Sequence, residues 1–444
     1  MRYNLVDKYD NSFTQAGRLL SAKSVEYLLL TSMVMKEESL AQLPNRRKFL
    51  HLTGLSAAAL AISPRFAFAQ NRFSEERKIR IGIIGGGFGT SFFFHEHPNC
   101  TVEAVSDLRP ERRELLMKVY KCNRTYPSLE KLILDPKIDA VFIATPAPDH
   151  HRHVTAALLA GKHVLSAVPC VMTLEECASL RDTVKQTGLT YMMAETSYYR
   201  QNTISARKFF QEGKFGQLIS AAAEYNHPGL EALYFEADGS TTWRHGLPPM
   251  HYPTHCTSFL ISVTGERLTH VSCLGWGDGD TILRNNRYQN PFWNETAFFE
   301  TDQGRPFRVE VNWKGAYRGA ERAEWRGSKM SFFSPLGEGG DSTIVRISEK
   351  TGRDEGGFVQ GTNTVETYQQ PLWWKTDLLP QPLRHDSGHD GSHVFITHEF
   401  IDALINSRKP TIDIHEALAY TAPGIVAHQS ALKGGERMRI PGFD

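Results

Sequence analysis

The sequence predicts an α/β protein in two parts, a doubly wound parallel sheet first and a second, sheet-based α/β domain behind it. Three observations carry this. At 444 residues the chain exceeds what one hydrophobic core fills. Between Lys78 and Ser166, short apolar runs alternate with helical stretches, the βα pattern of a parallel sheet. Further on, runs from Leu218 to Tyr225, His270 to Leu274, Glu295 to Glu300 and Phe307 to Trp313 read as strands of a sheet with one covered face.

Composition narrows the function classes. Hydrophobic residues make up 41% and charged residues 22%, with a formal net charge of +1, so no broad electrostatic field draws nucleic acid. The cysteines at 100, 122, 170, 177, 256 and 273 have no CxxC or Cys/His spacing, and neither a structural metal nor a disulfide framework is predicted.

The N-terminus reads as an address. Arg46-Arg47 precede an uncharged, apolar stretch from Leu52 to Ile62 and then Ala67-Phe68-Ala69, the order of a twin-arginine signal peptide cleaved after Ala69. The stretch is too short for a stable membrane anchor. Export through the twin-arginine machinery to the periplasm is therefore expected, with residues 1–69 as leader and signal, 78–195 and 196–430 as the two domains, and 431–444 as a tail.

The first apolar run, Lys78 to Ile84, leads into Gly85-Gly86-Gly87-Phe88-Gly89-Thr90. Gly85 and Gly87 occupy the first two glycines of G-x-G-x-x-G, where a strand turns tightly toward a helix and pyrophosphate approaches backbone N–H groups. Thr90 stands in place of the third glycine, with Gly89 beside it. The next strand, Thr101 to Ser106, ends in Asp107, twenty-two positions after Gly85, a spacing that suits a ribose 2′-hydroxyl and favours NAD over NADP. Arg109 keeps NADP open. A Rossmann domain follows from this pattern. Thr145-Pro146 after the strand Ile138 to Ala144, and Ala167-Val168-Pro169 after the strand Lys162 to Ser166, fall at the strand ends that line a nicotinamide crevice.

Downstream, Trp243-Arg244-His245-Gly246-Leu247-Pro248-Pro249-Met250-His251-Tyr252-Pro253-Thr254-His255 is the densest cluster of titratable and aromatic groups in the chain. A helix starting after Pro253 sets His255 in its first turn and His251 in the entering loop. An imidazole of ordinary pKa accepts a proton at neutral pH, so His255 is the expected general base, with His251 in reserve. Tyr252 is expected to hydrogen-bond the same oxygen or the leaving group, Arg244 to hold sugar hydroxyls, and Trp243 to stack on a pyranose. His-x-x-x-His is also a zinc spacing, but Pro253 interrupts the helix and no third ligand is near. Trp373 and Trp374 mark a long loop, either a substrate lid or core anchors. His389 and His393, ahead of the final helix, are candidate substrate contacts or parts of a solvated turn.

With Ile83-Ile84-Gly85-Gly86-Gly87-Phe88-Gly89, Ala144-Thr145-Pro146 with His150, Ala160-Gly161-Lys162-His163-Val164 and Met193-Ala194-Glu195 in this order, the chain from about Lys78 onward resembles the Gfo/Idh/MocA family. The resemblance implies an open, mostly antiparallel sheet in the second domain and places Phe88, His150 and Glu195 beside the cofactor, with Ala167 and Pro169. Where the family's dehydrogenases carry Glu-Lys-Pro, this chain has Ala167-Val168-Pro169, and valine holds no proton. Tyr252-Pro253-Thr254-His255 and Glu195-Thr196-Ser197-Tyr198-Tyr199 are more similar to the NAD-dependent glycosidase branch, exemplified by an α-N-acetylgalactosaminidase, and set Tyr199 near substrate. That branch has Glu-Val-Pro where Ala167 stands.

The expected activity is hydride transfer between tightly held NAD and a ring carbon of a sugar or glycoside, as an oxidoreductase. The alternatives are a redox-neutral glycoside hydrolase that oxidises, eliminates and re-reduces, and a non-catalytic sugar or nucleotide binder. An outer sheet face left uncovered implies a homo-oligomer.

Overall fold

In the computed structural model, residues 77–443 are described, apart from 318, 319, 338, 339, 354 and 358. The twin-arginine segment lies outside the described residues. Six strands, β1 (Ile79–Ile84), β2 (Cys100–Ser106), β3 (Thr125–Tyr126), β4 (Ala140–Ile143), β5 (His163–Ser166) and β6 (Tyr191–Met193), form a parallel sheet in the order β3-β2-β1-β4-β5-β6. Buried on both faces, β1 and β4 are nearly continuous apolar runs, which is why they are legible in the sequence. Sheet order reverses between β1 and β4, so the crevice at their C-terminal ends is where a doubly wound sheet takes its ligand.

Helices α1 (Pro110–Tyr120), α2 (Leu129–Leu132), α3 (His150–Leu159) and α4 (Leu174–Thr187) connect this sheet. The Thr173 hydroxyl caps α4 by accepting from the Glu176 N–H at 3.2 Å. After the glycine turn, however, no α-helix follows. Two short 3-10 turns, Phe88–Ser91 and Phe94–Glu96, replace the expected helix. Only twelve residues separate Gly87 from Cys100, and Phe92 and Phe94 are buried while Phe93 between them is not, an alternation that a helix does not produce.

The second sheet has nine strands: β7 (Leu218–Asn226), β8 (Leu268–Trp276), β9 (Asn294–Thr301), β10 (Pro306–Asn312), β11 (Ala320–Gly327), β12 (Met330–Phe333), β13 (Ser342–Arg353), β14 (Val359–Tyr368) and β15 (Met438–Arg439). Its order is β14-β13-β12-β11-β7-β10-β9-β8-β15, antiparallel throughout except for the β7–β10 pair. Helices α5 (Gln201–Gln211), α6 (Thr254–Thr264), α7 (Gly388–Ile405) and α8 (Ile414–Leu432) complete the chain. Helix α6 covers β7, β10 and β11, and the Trp325 indole of β11 donates to its Phe259 carbonyl at 3.0 Å.

Asp413 starts α8 by accepting from the N–H groups of His415 and Glu416. This helix packs on β8 and also on α4 and β6, with the Thr421 hydroxyl 3.1 Å from the Cys170 thiol. The boundary expected at 430 therefore falls inside a helix that belongs to both halves. Likewise His389 and His393 lie within the start of α7, with α8 still to follow. No helix among the described residues is long and apolar enough to cross a membrane.

Candidate active site

The glycine turn is built by close approach. Gly85 has φ +102°, and a Cβ there would fall inside the Ala144 carbonyl, so the loops after β1 and β4 touch only because position 85 has no side chain. Gly85→Ala is expected to lower stability by more than about 1 kcal/mol and to abolish cofactor retention, read from thermal denaturation and the mass of the native protein.

Asp107 closes the turn from the other side. It accepts the Gly86 N–H on Oδ2 at 2.7 Å and the Arg109 N–H on Oδ1 at 2.8 Å. Thr90, in the third-glycine position, donates its hydroxyl to the Gly87 carbonyl at 2.8 Å. The space beside Gly87 is open, and among the described residues the N–H groups of Gly87 and Phe88 meet no acceptor. These features fit a dinucleotide whose diphosphate lies over the turn and whose ribose meets Asp107. Arg109, the group that kept NADP open, instead pairs with Glu236 of the second domain at 2.6 Å.

His150 acts differently from expectation. It is fully buried, its Nε2 lies 2.8 Å from the Thr145 carbonyl and its Nδ1 2.7 Å from the Pro169 carbonyl. Both ring nitrogens are occupied, so it clamps together the two loops that follow β4 and β5. Pro146 and Ala167 sit in those loops as expected, Ala167 with its N–H on the Ile143 carbonyl at 2.8 Å.

The chemistry concentrates at the first turn of α6. His255 Nδ1 is 2.9 Å from Glu195 Oε1 and 3.8 Å from Glu321 Oε2, with all three side chains buried. Glu195, expected beside the cofactor, is thus the partner of His255, and its Oε2 is buried without a hydrogen bond. Glu321 also accepts from the Ser197 hydroxyl at 2.6 Å and from Arg200 Nε at 2.9 Å. Burial opposes the charged imidazole, but the Glu195 and Glu321 carboxylates outweigh it and raise the His255 pKa to about 9. Burial likewise opposes the charged form of Glu321, yet Arg200 and His255 hold its pKa well below the usual carboxylate range. His255 in the ligand-free protein is therefore an imidazolium, where the sequence led to a neutral ring.

Around it stand Tyr252 and Tyr225, with ring centres 5.5 and 4.9 Å from that of His255. Arg244 lies beside the Tyr252 hydroxyl and over the Trp243 ring at 4.1 Å. Tyr252, Arg244 and Trp243 are each half-buried, in keeping with a cleft wall. His251 does not converge with His255. Its ring faces His428, whose Nδ1 meets Glu295 at 2.8 Å, and Glu295 also takes the Met250 N–H at 2.7 Å, turning the loop away. Tyr199 packs in the core, stacked on Phe395 at 5.7 Å, with its hydroxyl buried. Trp373 is a half-buried anchor, donating its indole N–H to Ser205 at 3.0 Å. His389 and His393 form a pair with 2.8 Å between Nδ1 and Nε2, and His389 lies within electrostatic reach of Glu321 and His255.

Glu321 and Arg200 were missed by the sequence reading. The signal was present in β11, where Ala323 and Trp325 are buried, so Glu321 in the same period-two register faces inward. Across the ladder it pairs with Tyr225. Ala167 supplies no carboxylate; those of the site come from Glu195 and Glu321.

The fold and this site define a Rossmann-fold enzyme with an NAD-binding domain. Residues 79–195 match the oxidoreductase family with NAD-binding Rossmann fold, Gfo/Idh/MocA, and residues 338–444 match the glycosyl hydrolase 109 C-terminal domain. The chain thus carries a Gfo/Idh/MocA NAD-binding Rossmann domain followed by a glycosyl hydrolase 109 C-terminal domain, and its relatives are named for the latter. Among similar proteins are glycosyl hydrolase family 109 proteins of Streptomyces coelicolor, 24% identical over 84% of this chain and 84% of the relative, and of Solibacter usitatus, 26% identical over 90% and 97%. The fold is shared with levoglucosan dehydrogenase in complex with NADH and levoglucosan, at TM-score 0.65, 19% identity and coverage of 82% and 100%. It is also shared with scyllo-inositol dehydrogenase from Lactobacillus casei, at TM-score 0.60, 16% identity and coverage of 82% and 99%. These relatives favour a glycoside hydrolase over the net oxidoreductase that the sequence put first.

Proposed function

We propose that the protein is a redox-neutral, NAD-dependent hydrolase of a hexopyranoside, with α-N-acetylgalactosaminides the first substrates to try. The observation that carries this reading is the buried Glu195–His255 pair beside the half-buried Tyr252 and Arg244. Bound nicotinamide would supply reversible hydride transfer at a ring carbon. Once the ring has given up its Nε2 proton, which its raised pKa allows only as the pH rises toward about 9, His255 Nε2, without a partner among the described residues, collects the proton of the hydroxyl being oxidised, while Glu195 on Nδ1 fixes the ring. Arg244 holds sugar hydroxyls, Tyr252 hydrogen-bonds the reacting oxygen, and Trp243 offers a stacking face. The ketone acidifies the adjacent C–H; that proton is lost to solvent as the aglycone leaves with the bonding electron pair, water adds across the resulting double bond and returns a proton to the same carbon, and the carbonyl is reduced back to the alcohol.

A glycoside panel in deuterated water, with no added NAD, tests this reading. Free sugar carrying deuterium on the carbon beside the oxidised position is expected, together with NAD retained in the protein's native mass spectrum. Stoichiometric NADH, or sugar released without deuterium, would overturn it.

The Arg46-Arg47 segment supports export of the folded, cofactor-loaded protein to the periplasm. The exposed Leu274, Trp276 and Phe298 on the outer sheet face support a homo-oligomer.

A further inference from the structure

Helix α7 is entered through three consecutive residues in the left-handed region, His389 (φ 54°, ψ 55°), Asp390 (φ 58°, ψ 44°) and Gly391 (φ 80°, ψ 6°). A Cβ disfavours that conformation, so two non-glycine residues adopt it only where their surroundings hold them. Here Gln201 does so, its backbone N–H on Asp390 Oδ2 at 3.1 Å and its side-chain amide on the Asp390 carbonyl at 2.8 Å. A Cβ on Gly391 would overlap the Trp374 indole, and one on Gly388 would press on the His393 imidazole, so both glycines are needed for the close packing.

This turn fixes a chain of proton positions. The Ser91 carbonyl, in the segment after the glycine turn, can only accept, so His393 Nδ1, 2.8 Å away, carries a hydrogen. Burial lowers the His393 pKa to about 3 and also lowers that of His389, so both rings are neutral. Neutral His393 then has a lone pair on Nε2, which accepts from His389 Nδ1–H at 2.8 Å. His389 Nε2 is left as an acceptor, with no hydrogen bond to it seen among the described residues.

Its position is between the two functional regions. The Phe88 ring of the glycine turn lies edge-on to both imidazoles, at 6.0 and 5.6 Å, and Glu321, Arg200, His255 and Glu195 are the charged neighbours of His389. A lone pair there repels an anion, whereas a hydroxyl hydrogen suits it.

We propose that His389 Nε2 accepts a hydrogen bond from a sugar hydroxyl other than the one oxidised, and that His393 is the positioning residue that fixes this tautomer through the Ser91 carbonyl. The inference deepens the hydrolase reading and rests on it. Recognition of the sugar is thereby tied to the glycine turn, because Ser91 and Phe88 both belong to the cofactor side.

The test uses NAD-loaded full-length protein with N-acetylgalactosamine and its 4-deoxy and 6-deoxy analogues, with affinities measured by calorimetry. His389→Leu is expected to weaken binding of the parent sugar roughly 10- to 100-fold and to leave affinity unchanged for the one analogue that lacks the bonded hydroxyl. His393→Leu, which keeps His389 but frees its tautomer, is expected to show a smaller loss with the same positional signature. ¹⁵N spectra of the histidine rings should show His389 protonated on Nδ1 and bare on Nε2. Equal losses for all three sugars, a hydrogen on Nε2, or no binding by the wild-type protein would overturn the proposal. Failure of the hydrolase reading shows separately, as absence of p-nitrophenol release from p-nitrophenyl N-acetyl-α-galactosaminide by a protein that binds the sugar.

Discussion

His255→Asn is expected to lower kcat/KM by roughly 10²- to 10⁴-fold, the range for loss of a positioned proton-transfer group, while NAD retention stays as in the wild type. The ring is held by Glu195 at 2.9 Å with Glu321 behind it, and its pKa of about 9 means that the proton-accepting form is scarce near neutrality. The kcat/KM profile of the wild type should therefore climb with pH and level off above about 9. Glu195→Gln removes the nearer carboxylate and should move that rise toward the ordinary imidazole range, near 6.5. A rise that does not move would show that another group titrates.

The same pair bears on stability. The folded pKa of His255 lies above the unfolded one, so its contribution, of order 3 kcal/mol, is fully present below about pH 6.5 and is lost as the pH rises through about 9. Denaturant midpoints between these values should fall in the wild type and change less in His255→Asn.

Arg200→Met carries the second large effect. Arg200 and Glu321 are both buried, with 8% and 6% of their side chains exposed, so removing the guanidinium takes the closest cation from an interior carboxylate and leaves it with Ser197 and the more distant His255. Breaking a buried pair from one side typically destabilises by about 3–5 kcal/mol, and a loss of that size is expected in urea unfolding. Glu321 has a depressed folded pKa, so its contribution is present above the unfolded carboxylate range and disappears as the pH falls through the folded value. Arg200→Met should blunt this acid sensitivity. Arg200→Met,Glu321→Gln, which removes both charges, should recover most of the stability while activity stays low.

The parallel sheet was readable because strands buried on both faces spell themselves as unbroken apolar runs, and Gly85 and Asp107 mark the turn that joins two of them. The second sheet was readable in part: β7 to β10 show the expected patterns, whereas β11 to β14 passed unnoticed because charged residues such as Arg322, Glu324 and Arg326 fill one face of β11. His255 was found because proline sets the start of its helix. Its charge was not, since Glu195 and Glu321 lie 60 and 66 positions away in sequence and meet it only through the packing of α6 on the turn Thr196–Tyr199 and on β11. His251 misled for the same reason, as Glu295 on β9 captures the Met250 N–H and turns the preceding loop.

Single-turnover absorbance at 340 nm, recorded as cofactor-loaded protein meets an aryl N-acetyl-α-galactosaminide, tests most directly whether hydride leaves and returns during cleavage. A rise that decays to baseline as free sugar forms is expected, slowed in His255→Asn. Cleavage without any rise, or a rise that persists in proportion to substrate, would contradict it.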